Sequence, residues 1–403
     1  MYLRSVNGII FILIYGFNSV NCEDDFGRSS FVSSSDEQQQ IILEGGNERS
    51  IDVETRSSYG GACSGGKICV PMSECTAMYY EAAKSCYTGD RSVYCGSNQY
   101  EPFICCPKSP VEQNSVCGKT LVAGQFYRGL GAFPFVARIG FKNLKQNTVA
   151  YPCTGSIISR RVILTAAHCA LAKAEGYRLT SVRLGEYDTS SDPDCSASGF
   201  CAPTVINHLI SHVIIHPDYK HGHYHHDIAL VILKTPLNYT VASQPICLHP
   251  DRDNLIVGKR ATIVGWGKMS HIQRQPVMQF LEVPLTAWDQ CARIYGSTGA
   301  LESPKSVEGQ WMCAGGEGRD VCAGFGGAPL VIKESGVYLQ VGIMSFGSDN
   351  CGGRNIPSVY TSIAHFIQWI KENSPSDQRN QIKIISVTPN SLSFRDPYHY
   401  RYF

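Results

Sequence analysis

The chain has 403 residues and a formal net charge of +1. A charge so close to balance gives no general attraction to nucleic acid or to an acidic membrane surface, and neither partner is expected. Eighteen cysteines point to a disulfide framework in an oxidising compartment rather than to a cytosolic protein.

Residues 1–22 read as a secretory signal peptide. Arg4 supplies the positive start, and Gly8 to Phe17 form an apolar run too short to span a bilayer. Val20 and Cys22 suit cleavage after Cys22. Residues 23–60 are polar, with the run Ser33-Ser34-Ser35-Asp36-Glu37-Gln38-Gln39-Gln40, and are expected to form a disordered linker. Residues 61–107 hold Cys63, Cys69, Cys75, Cys86, Cys95, Cys105 and Cys106. A module this small cannot be held by an apolar core alone and needs covalent staples.

A polar connector, 108–116, leads into a core-forming domain over 117–374. The β-branched runs Val162-Ile163-Leu164, Ile228-Ala229-Leu230-Val231-Ile232-Leu233 and Ala261-Thr262-Ile263-Val264 predict strands. Ile363, Phe366, Ile367 and Ile370 recur at helical spacing and predict a closing helix over Ser362 to Asn373. Pro375 and Pro389 interrupt residues 375–403, which are expected to form a loose tail.

Three segments carry the chemistry: Thr165-Ala166-Ala167-His168-Cys169, His225-His226-Asp227-Ile228-Ala229-Leu230, and Asp320 to Leu330. In this order they resemble the histidine, aspartate and nucleophile segments of chymotrypsin-type serine proteases. The resemblance implies an all-β fold of two six-stranded antiparallel barrels with a C-terminal helix. In that family the histidine takes the serine proton and the aspartate fixes the imidazole. The nucleophile segment is normally D-[SA]-C-x-G-D-S-G-G-P-L; here Gly326 stands at the serine and Phe325 at the acid before it. Glycine has no atom with which to attack a carbonyl, so His168 and Asp227 are expected to be remnants of a triad without function.

The family is switched on by a new amino terminus that pairs with the acid now replaced by Phe325. The matching segment is Leu121-Val122-Ala123-Gly124; it follows Thr120, and Lys119 lies one residue too early for a trypsin-like cut. Asp320 holds the position that gives such enzymes their preference for Arg or Lys. Ser345-Phe346-Gly347 resembles the pocket-lining S-W-G segment. Ser358 stands where glycine is usual, so the pocket is expected to be narrowed.

The cysteines of 61–107, with their closing Cys-Cys-Pro, resemble the arthropod clip domain. Six cysteines allow fifteen pairings; the resemblance implies Cys63–Cys105, Cys69–Cys95 and Cys75–Cys106. For the larger domain it implies Cys117–Cys247, Cys153–Cys169, Cys195–Cys201, Cys291–Cys313 and Cys322–Cys351. Cys22 and Cys86 remain, and removal of the signal would leave Cys86 as a free thiol or a link to another chain.

The whole resembles an arthropod clip-domain serine protease homolog. That resemblance implies a secreted, non-catalytic cofactor or regulator of an extracellular protease cascade in innate immunity, acting in prophenoloxidase activation and melanization. The implied partners are clip-domain proteases or prophenoloxidase-type zymogens, with self-association as an alternative. Lys84 and Arg91 are candidate sites for a switching cut. Two other readings are an adhesion or pattern-binding protein and a residual hydrolase using another nucleophile, although Ser345 and Ser348 lie elsewhere in the aligned pattern.

His221, His223, His225 and His226 cluster in sequence but are expected to form a polar surface loop, and no metal is assigned. Glu186, Asp188, Asp192 and Asp194 could offer oxygens to calcium, although a solvated acidic loop is the simpler expectation. Asn238-Tyr239-Thr240 is an N-glycosylation sequon.

Overall fold

The computed structural model describes residues 63–65, 67–72, 75, 93–97, 102–107, 117–120, 130–171, 176–195, 201–220, 222, 224–251, 257–270, 275–297, 309–348, 351–379 and 381–385. Cys22, Cys86, Lys84, Arg91, Leu121 to Gly124, His221 and His223 lie outside the described residues.

The cysteine-rich module is a three-stranded sheet of β1 (Lys67–Pro71), β2 (Tyr94–Ser97) and β3 (Pro102–Pro107) in the order β1-β3-β2. Cys63–Cys105, Cys69–Cys95 and Cys75–Cys106 are disulfide-bonded and close chain separations of 42, 26 and 31 residues. Each such link removes on the order of 3–4 kcal/mol of unfolded-chain entropy. The apolar core is correspondingly small: Met72, Cys75 and Ile104, completed by Val241 from the larger domain.

The first barrel closes in the order β4-β5-β6-β9-β8-β7. Its strands are β4 (Val136–Asn143), β5 (Val149–Ile157), β6 (Val162–Thr165), β7 (Tyr177–Leu184), β8 (Ile206–Ile215) and β9 (Ala229–Leu233). All five residues of β9, Ala-Leu-Val-Ile-Leu, are buried. Such a strand reads as a continuous apolar run rather than an alternation.

The second barrel uses β11 (Arg260–Gly265), β12 (Gln279–Thr286), β13 (Trp311–Glu317), β14 (Pro329–Glu334), β15 (Val337–Phe346) and β16 (Arg354–Ser362). Pairing runs β11-β12-β13-β16-β15-β14 and returns to β11, and β10 (Cys247–Leu248) adds in parallel to β15. In β12, Leu281, Val283 and Leu285 alternate inward, the period of a strand with one wet face.

Short helices punctuate the sheets: α1 (Ala167–Ala170), α2 (Trp288–Ser297), α3 (Ile363–Asn373) and α4 (Ser376–Arg379). Ile363, Phe366 and Ile370 bury one stripe of α3. The helix ends where Ser374 donates both N–H and Oγ–H to the Ile370 carbonyl, just before Pro375.

Among the described residues, 375–379 and 381–385 pack against the fold, where the sequence led to the expectation of a loose tail. Ile382 is buried, Leu248 N–H donates to Lys383 O at 3.0 Å, and Ile385 N–H donates to Leu248 O at 3.1 Å. Gln378 and Gln381 reach the β5–β6 turn, where Ser159 Oγ and Arg160 N–H donate to their side-chain oxygens. These residues pair by backbone with β10, on the edge of the second barrel's sheet, and reach the first barrel through the two glutamines, which periodicity and the two prolines do not reveal. Residues 386–403 lie outside the described set.

Candidate active-site cleft

His168 is carried on α1, directly after β6, and the Cys153–Cys169 disulfide pins that turn to β5. Asp227 precedes β9 and is 0% exposed. A buried carboxylate needs donors, and Asp227 has three. His168 donates its backbone N–H at 2.9 Å and faces Asp227 with Nδ1 at 2.8 Å. Ser345, on β15, donates Oγ–H at 2.6 Å. Thr361 Oγ–H holds the Asp227 carbonyl at 2.9 Å. The Asp227 carboxylate makes Nδ1 the protonated nitrogen of His168, so Nε2 presents its lone pair to the cleft.

That lone pair faces Gly326. A Cβ added to Gly326 would stand 2.7 Å from His168 Nε2 and 3.2 Å from Cys169 Sγ. A carbon added at this position requires either the imidazole or the Gly326 loop to shift. Two neighbouring contacts fix the loop: Thr154 N–H donates to Gly326 O at 2.8 Å, and Gly327, at φ +75°, runs against Thr165. A Cβ at Gly327 would lie 2.2 Å from Thr165 Oγ1, so only glycine fits.

Phe325 is 0% exposed. It lies in the second barrel's core with Val321, Ala328 and Met344. Its ring sits on the backbone of Gly265 and Gly267: a Cβ on Gly267 would come within 2.6 Å of the ring, and one on Gly265 within 3.2 Å. The place next to Gly326 is therefore filled by hydrocarbon. An ammonium inserted there would lose water without gaining a counter-charge, a cost of several kcal/mol.

Asp320 is 3% exposed. Ser358 Oγ–H donates to Asp320 Oδ2 at 2.7 Å and Val321 N–H to Oδ1 at 2.7 Å. Burial pushes the Asp320 carboxyl up to about 6, against the opposing pull of those two donors. Ser358 also lies against Gly347, where a Cβ would be 2.7 Å from its Oγ. The acid at the base of the pocket is thus hydrogen-bonded from within the protein. Tyr224 and Phe346 stack at 4.7 Å alongside His168, giving the cleft an aromatic wall.

The carboxylates of the acidic loop are held by donors from the protein itself. Glu186 Oε2 accepts Arg183 Nε–H at 2.6 Å and Arg138 Nη1–H at 3.4 Å. The Arg138 guanidinium lies over Tyr151 and Trp266. Burial pushes the Glu186 carboxyl upward, and the two arginines pull it down. Asp194 accepts the N–H groups of Tyr187 and Asp188 and the hydroxyl of Ser191. Asp188 accepts from Ser190, and Asp192 from the Val205 N–H.

Disulfides Cys117–Cys247, Cys195–Cys201, Cys291–Cys313 and Cys322–Cys351 complete the larger domain. Gly118 N–H donates to Pro245 O, and its carbonyl accepts from Tyr338, so the start of the domain is sewn to the body by hydrogen bonds as well. Lys119 is exposed, and Thr120 is held by a hydrogen bond to Ala132 O. Asn238 is exposed and accepts from Arg160. No described helix is long and apolar enough to cross a membrane.

The trypsin family profile matches residues 124–370. The chain is 34% identical to phenoloxidase-activating factor 1 of Holotrichia diomphalia over 76% of this chain and 90% of that one. It is 32% identical to CLIP domain-containing serine protease B4 of Anopheles gambiae over 76% and 88%. With phenoloxidase-activating enzyme 1 of Spodoptera litura it shares 34% identity over 70% and 83%. The two barrels, the cysteine-rich module before them and these likenesses together assign the chain to the trypsin family, among the clip-domain serine proteases of arthropods.

Proposed function

We propose that this protein is a secreted, non-catalytic regulator of an extracellular protease cascade, acting as a cofactor in prophenoloxidase activation and melanization. One observation carries the reading: His168 Nε2, correctly held by Asp227, faces a glycine whose added Cβ would lie 2.7 Å away. In a related hydrolase the loss of the serine alone costs about 2 × 10⁶ in turnover. Ser345 does not substitute for it, because its hydroxyl is donated to Asp227 rather than facing His168 Nε2.

The names of three relatives, all phenoloxidase-activating, support the choice of pathway, and a fourth, a Spaetzle-processing enzyme, supports a protease cascade more generally. The barrel cleft and its loops would dock a clip-domain protease or a zymogen, while the clip module engages a further partner. The Phe325 ring in place of the acid supports a body whose cleft is not organised by cleavage before Leu121. Addition of the purified protein to arthropod plasma depleted of it tests the proposal. Restored phenoloxidase activation that survives His168→Ala is expected. Loss of that restoration with His168→Ala, accompanied by peptidase turnover, would overturn it.

A further inference from the structure

His216 follows β8 and His226 precedes Asp227, and the two rings stack with centroids 4.5 Å apart at 21°. Phe366 and Trp369 of α3 wall the pair, 5.4 and 5.2 Å from the His216 ring. Nε2 of His226 lies 3.2 Å from Gln310 Nε2, while its Nδ1 is buried beside the Asp218 backbone without a well-formed hydrogen bond. Gln310 Oε1 is buried and unpartnered as well. On the other ring, His216 Nδ1 accepts the Asp218 N–H at 3.2 Å, so its lone pair points towards Asp218. The Asp218 carboxylate is 4.0 Å from that nitrogen, and its side chain is 71% exposed. One ligand atom from each of His216, Asp218 and His226 lies within 4.8 Å of the other two.

We infer that His216, His226 and Asp218 form a site for one divalent ion of the zinc class, bound through two imidazole nitrogens and a carboxylate oxygen. Two imidazoles with one carboxylate favour zinc over calcium or magnesium, which take oxygen ligands. Three protein ligands leave a fourth position for water. Bonds of 2.0–2.1 Å at a tetrahedral angle bring two nitrogens to roughly 3.3 Å of each other. The two rings must therefore swing out of their stack until both in-plane lone pairs converge on the ion, and the ion displaces the Asp218 N–H from His216 Nδ1. An ion on His226 Nδ1 gives that buried atom its partner. A flip of the Gln310 amide then offers Oε1 to His226 Nε2–H, the outer hydrogen bond that fixes a metal-bound imidazole. His226 adjoins Asp227, so the ion would brace the segment that supports the cleft against β13 and α3.

The test uses the full-length secreted protein, stripped of metal and titrated with zinc chloride and, as a spectroscopic probe, cobalt chloride. A single equivalent of zinc should bind and raise the melting temperature, and cobalt should give the visible bands of a tetrahedral site. Asp218→Asn, at an exposed position that spares the fold, should weaken zinc binding about tenfold or more. His226→Gln should weaken it further, and a His221→Ala/His223→Ala variant should bind as the parent does. Absence of one-equivalent binding, or binding lost in the His221/His223 variant and retained in Asp218→Asn, would overturn the site.

Discussion

On the wall of the cleft built by the first barrel, His168 and Asp227 sit in a complete hydrogen-bond network. On the wall built by the second, the loop from Asp320 to Gly327 has been rebuilt: a glycine at the cleft, a phenyl ring beneath it and a serine capping the pocket acid. The difference follows from what each group does for the fold. Asp227 is wholly buried and binds three donors, so removing it or His168 leaves orphaned polar groups. A nucleophilic hydroxyl in a cleft has no such structural task and can be lost cheaply. The histidine and aspartate thus serve the fold as well as any chemistry, so their presence alone does not establish proteolysis.

That contrast can be broken first by chemistry. A cleaved sample is expected to turn over a small basic peptide substrate about 10⁶-fold more slowly than an active trypsin-family relative. Gly326→Ser should leave most of the gap, because the new Cβ collides with His168 and Phe325 still fills the neighbouring site. Robust proteolysis by that single change would show that the second wall is intact in all but one side chain. The next largest effect concerns Phe325. Phe325→Ala should cost about 3–5 kcal/mol in denaturant unfolding, as expected for an emptied core site; a loss under about 1 kcal/mol would mean the ring is no part of the core.

Asp320 sharpens the comparison in a different way. Its folded carboxyl is held up at about 6, above its unfolded value, so the native state keeps a proton that the unfolded chain releases. Stability contributed by this group is present at low pH and is lost as pH rises from about 4 through 6, by on the order of 3 kcal/mol. Unfolding free energies across that range should show the decline in the parent and a flatter profile in Asp320→Asn. An identical slope in both would remove Asp320 as the cause. The smallest effect is a null one: calcium added after chelation should leave the melting temperature unchanged, because Arg138 and Arg183 already neutralise Glu186. A clear rise would show that the loop opens to the ion.

The strands, the closing helix and the order of the chemical segments were legible because they depend on local periodicity and on short motifs. Gly326 and Phe325 were legible as departures at fixed positions. What the sequence could not reveal were pairings made by distant residues. Gly265 and Gly267 receive the Phe325 ring across the second barrel, and Ile384 bridges Leu248 along a strap read as tail. Arg138 lies 48 residues from Glu186, and no spacing rule links them. The histidines show the same limit: the run ending at His226 drew the eye, but its spatial partner is His216, at the end of the previous strand.

Val241 lends its side chain to the core of the cysteine-rich module, so that module is not a free appendage. The Cys117–Cys247 link holds the connector to the body whether or not the chain is cut upstream. A ligand tethered this way meets its own docking face at a local concentration in the millimolar range. Breaking the Met72–Ile104–Val241 contact therefore leaves the module free to re-seat rather than to diffuse away.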